Sequence, residues 1–146
     1  MRFLILNGPN LNMLGLREPG LYGEINYAQL VSMVDNACTE LGVKANFYQS
    51  NHEGCLVDAI QEALGKYNGI VINPGAYTHT SIAILDALKA VNLPAAEVHI
   101  TDIMQREKFR HRSYAGMACQ GHFIGQGIEG YVNAVKFLID HINNKK

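Results

Sequence analysis

The chain has 146 residues, with 12 lysines and arginines against 13 aspartates and glutamates and a formal net charge of −1. That length suits one domain spanning residues 1–146, able to bury a sizeable core without disulfides or a structural metal. The near-neutral balance leaves no footprint for nucleic acid or an anionic membrane surface, and no apolar run approaches a membrane span, so the expected partner is a small neutral or anionic solute.

The first element is a continuous apolar run, Phe3 to Leu6, bounded by Asn7, Gly8 and Pro9; it reads as a strand buried on both faces. After a Gly/Pro loop, Tyr27, Leu30, Val31, Val34, Cys38 and Leu41 recur at intervals of three and four. Asn26 is placed to cap this helix and Gly42 to end it. Val43 to Tyr48 reads as a second strand, Leu56 to Tyr67 as a second helix, and the GIVI run before Asn73 as a third strand. Ser81 to Val91 gives a third helix, Ala95 to Ile100 a fourth strand, His122 to Ile124 a weak fifth, and Tyr131 to Ile142 a closing helix. Strands alternating with amphipathic helices imply parallel pairing through right-handed crossovers, the doubly wound α/β plan. Five strands make it flavodoxin-like, with the expected order 2-1-3-4-5 and a ligand site beyond the carboxyl ends of the strands. The segments after the strands, NGPNLN, SNHEG, NPGAYTHTS and HITD, gather Asn, His, Ser and Thr on that edge.

Glu97 and His99 stand two apart on the fourth strand, so their side chains share a face. The pair reads either as a satisfied structural hydrogen bond or as a carboxylate that orients an imidazole and favours its protonated, general-acid form. Asn73 to Ser81 serves as a turn and helix cap, or brings Asn73, His79 and backbone N–H groups to a substrate's carboxylate or hydroxyls. Among Arg106, Arg110 and Arg112, one inward-facing guanidinium would suit an anion. Gly125, Gly127 and Gly130 spell GxGxxG, yet no strand and no ribose-binding acid follow, so a dinucleotide site is not expected. No phosphate-binding Gly-Lys-Ser or Gly-Lys-Thr loop occurs, and the histidines have no zinc-ligand spacing, so no metal is expected. Cys38, Cys55 and Cys119 are odd in number, far apart and without a CxxC pattern. With no apolar leader at the N-terminus, a reduced cytoplasmic setting and packing roles are expected.

The stretches LILNGPNLNMLGLREPGLYG, SNHEGCLVDAI, INPGAYTHTSIAILDAL and EVHITDIMQREKFRHRSY, in that order, resemble the type II 3-dehydroquinate dehydratases, or type II dehydroquinases, nearly end to end. Departures are small: Thr101 and Asp102 stand where many members read Ser and Asn, and GQGIEGY replaces a Gly-Phe-Gly run. The resemblance implies reversible anti elimination of water from 3-dehydroquinate, through an enolate, to 3-dehydroshikimate in the shikimate or quinate pathway. It implies no cofactor and no Schiff-base lysine. By resemblance Tyr22 is the base and Arg17 the cation that activates it, both on an active-site lid over about residues 8–25. His99 is the acid, oriented by Glu97, and Asn12 helps hold the enolate oxygen. Asn73, His79, Arg110 and the backbone of Ile100 and Thr101 bind substrate. Asp86 reaches a neighbouring subunit's site in a homododecamer built as a tetramer of trimers. The alternative class is a non-catalytic flavodoxin-like module for a small anion or nucleotide, carried by the fold alone. A phosphoryl-accepting receiver would need acidic residues after the first strand, where the chain has NGPN.

Overall fold

The structure is a computed structural model that describes residues 1–16 and 24–146. Five strands, β1 Arg2–Asn7, β2 Lys44–Gln49, β3 Gly69–Asn73, β4 Ala95–His99 and β5 Gly121–Ile124, form one sheet in the order β2-β1-β3-β4-β5. All four pairings are parallel. Helices α1 Tyr27–Glu40, α2 Glu53–Glu62, α3 Ile82–Val91 and α4 Glu129–Asn144 cover it on both sides. The doubly wound α/β fold expected from the sequence is therefore present.

Side-chain alternation along the central strands creates two cores. Phe3, Ile5, Val71, Ala96 and Val98 meet Leu30, Val34 and Cys38 of α1 and Tyr131, Val135 and Leu138 of α4. Leu4, Leu6, Ile70, Ile72 and Ala95 meet Leu56 and Ile60 of α2 and Ile84 and Leu88 of α3. Because β1 and β3 carry apolar residues on both faces, their sequences read as runs rather than alternations.

The helix starts follow side-chain capping. The Asn26 amide donates to Gln29 Oε1 (2.9 Å) while Gln29 N–H donates to Asn26 Oδ1 (2.8 Å), a reciprocal box that begins α1. Ser81 Oγ accepts the Ile84 amide (2.9 Å) and begins α3 one residue later than the apolar pattern suggests. Helix α2 differs more: it covers Glu53–Glu62 rather than Leu56 to Tyr67. Gly65 takes a φ of 79°, which breaks the helix, yet Tyr67 still packs on the second core, so the apolar period outlasts the helix. The link from β4 to β5 contains three short 3-10 turns, Ile103–Gln105, Lys108–Arg110 and Ala115–Ala118.

At the carboxyl ends of the central strands the apolar core gives way to amides. Asn7 and Asn73 are register partners on β1 and β3. The Tyr131 hydroxyl donates to Asn7 Oδ1 (2.6 Å) and accepts from Asn73 Nδ2 (2.9 Å). All three side chains are buried, so each bond replaces one that water would otherwise make. Burial holds the Tyr131 phenol well above its ordinary range despite the Asn73 bond. This network forms the floor on which the site stands.

Candidate active site

Beyond the ends of β1, β3 and β4, at the topological switch point of the sheet, lies a cavity of about 170 Å³. Asn73, His79, His99, Ile100, Thr101 and Arg110 all line it, six of the residues singled out from sequence. Asn73 Oδ1 accepts the Gly75 amide (3.1 Å), which turns the chain into the 3-10 helix Gly75–His79 and sets the cavity's edge. One Asn73 Nδ2 hydrogen is committed to Tyr131, and the second remains for a ligand.

His79 Nδ1 lies 2.7 Å from the Arg112 carbonyl oxygen. A carbonyl only accepts, so Nδ1 carries the hydrogen and Nε2 presents a lone pair. Burial lowers the affinity of His79 for a second proton, and the neighbouring His99 and Arg110 act in the same direction. Its ring stacks on that of His99, with centroids 6.4 Å apart and planes 20° from parallel.

The sequence spacing of Glu97 and His99 becomes a contact: His99 Nε2 is 3.0 Å from Glu97 Oε2. Glu97 is 1% exposed, and a carboxylate so placed survives only if well partnered. Oε2 also accepts from the hydroxyls of Thr78 (3.2 Å) and Ser113, while Oε1 faces His122 Nδ1 at 3.0 Å. Ser113 Oγ in turn accepts the Gly116 amide (3.0 Å). Gly116 is glycine for a spatial reason: a Cβ there would come within 2.6 Å of Glu97 Oε1. Burial alone would raise the carboxyl's pKa, but the bonds and charge of His99, with Ser113 and His122, outweigh it and bring it down to about 2. An ionised Glu97 can only accept, so His99 Nε2 and His122 Nδ1 are both donors. The neutral His99 tautomer is thereby set, and Nδ1 is the nitrogen left to exchange a proton with the cavity.

Other expectations land differently. Glu97 sits behind His99 rather than on the cavity wall. Asn12 is exposed in the 3-10 turn Leu11–Met13, its Oδ1 accepting from Gln49 Nε2 at 3.4 Å. Asp86 is exposed on the outer side of α3 and lines no part of this cavity. Arg17 and Tyr22 lie outside the described residues, as does the middle of the proposed lid. Arg110 donates from Nε to Glu107 (2.6 Å), and Arg106 joins it on the wall. Arg112 contributes its backbone to His79 instead. The GxGxxG glycines tie β5 back to the site: Gly125 N–H donates to the His99 carbonyl (3.0 Å) and Gly127 N–H to that of Ile100 (3.1 Å). Thr78, Ser113 and His122 were not singled out from sequence. His122 meets Glu97 through the β4–β5 register, in which the two are direct partners, and no spacing within one strand shows that. Among the described residues no group of His, Cys, Asp and Glu is arranged to hold a metal ion.

Comparison with known proteins places this geometry in context. The family model described as Dehydroquinase class II matches residues 1–139. A 3-dehydroquinate dehydratase of Nostoc sp. is 51% identical over 142 residues, covering 97% of each chain. One from Clostridium perfringens is 47% identical over 146 residues, covering 99% of this chain and all of the relative. The crystal structure of the type II dehydroquinase from Butyrivibrio crossotus superposes with a TM-score of 0.93 at 49% identity, covering 95% of this chain and 97% of that one.

Proposed function

The chain belongs to the class II dehydroquinase family, and from that premise we infer that it is a hydro-lyase converting 3-dehydroquinate to 3-dehydroshikimate, a step of the shikimate or quinate pathway. The observation that carries the site reading is His99: buried, held at Nε2 by an ionised Glu97, with Nδ1 left for the cavity. Family membership does not favour a non-catalytic binding module.

The proton to be removed lies α to a ketone, so the reaction needs a base, a holder for the enolate oxygen and an acid for the departing hydroxyl. Tyr22, as phenolate beside Arg17, takes the carbon-bound proton. The electron pair moves onto the carbonyl oxygen, which Asn12 steadies through a water; its carbonyl is turned to Gln49, leaving its NH₂ to donate. As the enolate collapses and the C–O bond breaks, His99 passes its Nδ1 proton to the hydroxyl, and water leaves. His99 then rests as the Nε2–H tautomer that Glu97 prefers. No step calls on a cofactor. Asn73, His79, Arg110 and the amides of Ile100 and Thr101 hold the substrate's carboxylate and hydroxyls; the carbonyls at this corner are engaged by Gly125 and Gly127, and its amides are the groups left to donate. Mixing the purified protein with 3-dehydroquinate is expected to produce the absorbance of the enone product, and its absence would reject the reading.

The same reading places the enzyme in the cytoplasm, a setting that suits the free thiols of Cys38, Cys55 and Cys119. No described helix is long and apolar enough to cross a membrane. Residues 1–146 act as one domain with a lid over about 8–25, assembled as a homododecamer in which exposed Asp86 reaches a neighbouring site. Light scattering should then give a mass near twelve times the 16.1 kDa chain, and a fully active monomer would remove that role from Asp86.

A further inference from the structure

We propose that His122 is a positioning residue that tunes the acid: it shares the Glu97 carboxylate with His99, so that a proton gained by one imidazole weakens the other's hold on its own. The geometry is a bridge. Glu97 Oε2 meets His99 Nε2 at 3.0 Å, and Oε1 meets His122 Nδ1 at 3.0 Å. Oε2 is also served by Thr78 and Ser113, whereas among the described residues Oε1 is hydrogen-bonded by His122 alone.

The two imidazoles differ in one respect that matters. The His99 side chain is 6% exposed and opens to the substrate cavity, while that of His122 is 46% exposed. With Nδ1 committed to Glu97, His122 takes its second proton from solvent at Nε2. That proton pulls carboxylate charge toward Oε1 and places a cation near an imidazolium at His99. Both effects make His99 the stronger acid. When His122 is neutral its Nδ1–H still fills Oε1 and holds the carboxylate's plane, so that Oε2 stays aimed at His99. The bulk solution is thus coupled to a buried acid through one carboxylate, without passing through the substrate cavity.

Few other titratable groups face this bridge among the described residues. Cys119, in the turn before β5, stays a neutral thiol, pushed up to about 12 by burial and by the Glu97 charge. His79 stacks on His99, and burial favours its neutral form. Arg106 and Arg110 stand on the far wall of the cavity as permanent cations. Among the described residues that face the bridge, His122 is thus the exposed imidazole, through which solvent reaches Glu97.

The proposal rests on His99 being the acid, and its test separates the two ideas. In His122→Gln, which keeps a donor for Oε1 but cannot gain a charge, the limb of kcat on which the acid loses its proton should move up by about half a pH unit at unchanged KM. In His122→Val the same upward move should come with a kcat lowered by about tenfold, since the carboxylate is no longer steadied. A limb unmoved in His122→Gln overturns the proposal. A nitrogen-15 NMR titration of the unmodified protein needs no turnover and decides the matter if a variant folds poorly. The His99 ring should titrate in two steps, the second matching His122, and a single step independent of His122 overturns the coupling. If the enzyme reading itself failed, no variant would show turnover to compare, yet the NMR result would stand.

Discussion

Replacing Tyr22 with phenylalanine is expected to lower kcat for dehydration by about 10²–10⁴-fold, the range for losing a general base, with a much smaller change in KM. The described wall of the cavity holds two imidazoles and two guanidiniums, and the imidazoles are not equivalent. His99 is tied at Nε2 to the Glu97 carboxylate, which leaves Nδ1 for the cavity and for the acid's part proposed above. His79 keeps a free Nε2 lone pair, but burial lowers its basicity and its Nδ1–H is spent on the Arg112 carbonyl. It is thus the competing base, and a weak one. A free phenol titrates near ~10, so the base role proposed for Tyr22 requires a pKa lowered by roughly 2 units, about 2.7 kcal/mol of preference for phenolate. One guanidinium within hydrogen-bond reach supplies a shift of about 1–3 units, which is the part assigned to Arg17. Steady-state kinetics at several pH values are the measurement. Near-normal turnover in Tyr22→Phe would move the base to His79, and a matching loss in Arg17→Ala would be left without its reason.

How far residues alone led depends on how local the forces are. Phe3 to Leu6 reads as a two-faced buried strand because no polar residue interrupts it, and the alternation of such runs with amphipathic stretches points to the doubly wound plan, while the order 2-1-3-4-5 is that of its flavodoxin-like form. The box between Asn26 and Gln29 is local too, and α1 starts where it was expected. The apolar period runs past the end of α2 because Tyr67 continues it after Gly65 has ended the helix. The segment from Ile103 to Ala118 had no period to read: its turns are held from outside, as by the Tyr114 amide on the Thr78 carbonyl (2.7 Å). The same divide runs through the site. Glu97 and His99 are visible as a pair on one strand, whereas Thr78, Ser113 and His122 reach that carboxylate from a 3-10 helix, a loop and a neighbouring strand. The roles given to Arg17, Tyr22, Asn12 and Asp86 came from family resemblance and not from any pattern of spacing.

Replacing Glu97 with glutamine should be the most damaging single change in the described structure, and it should show twice. The carboxylate accepts from His99, His122, Ser113 and Thr78, four donors on two oxygens. An amide offers one oxygen and an NH₂, so one set of donors meets another donor. If the NH₂ turns to His99, the ring must carry its hydrogen on Nδ1, and the acid form loses its anchor; kcat should fall by about 10²–10⁴-fold. If it turns to His122, a neutral oxygen replaces the charge that steadied the imidazolium, and the loss has the same direction. The second effect is on stability. Glu97 has an ordinary value of 4.5 and lies at about 2 when folded, a depression that corresponds to about 3 kcal/mol of stability near neutral pH. Because the folded value is the lower one, that contribution is complete above 4.5 and disappears as pH falls toward 2. Urea unfolding at fixed protein concentration should find the variant less stable by roughly 3–5 kcal/mol at pH ~7. The gap should close as acid protonates the wild-type carboxylate. Parallel stability curves through that window would mean that the charge on Glu97 does not hold this corner of the fold, and with it the basis for an imidazolium at His99 would go.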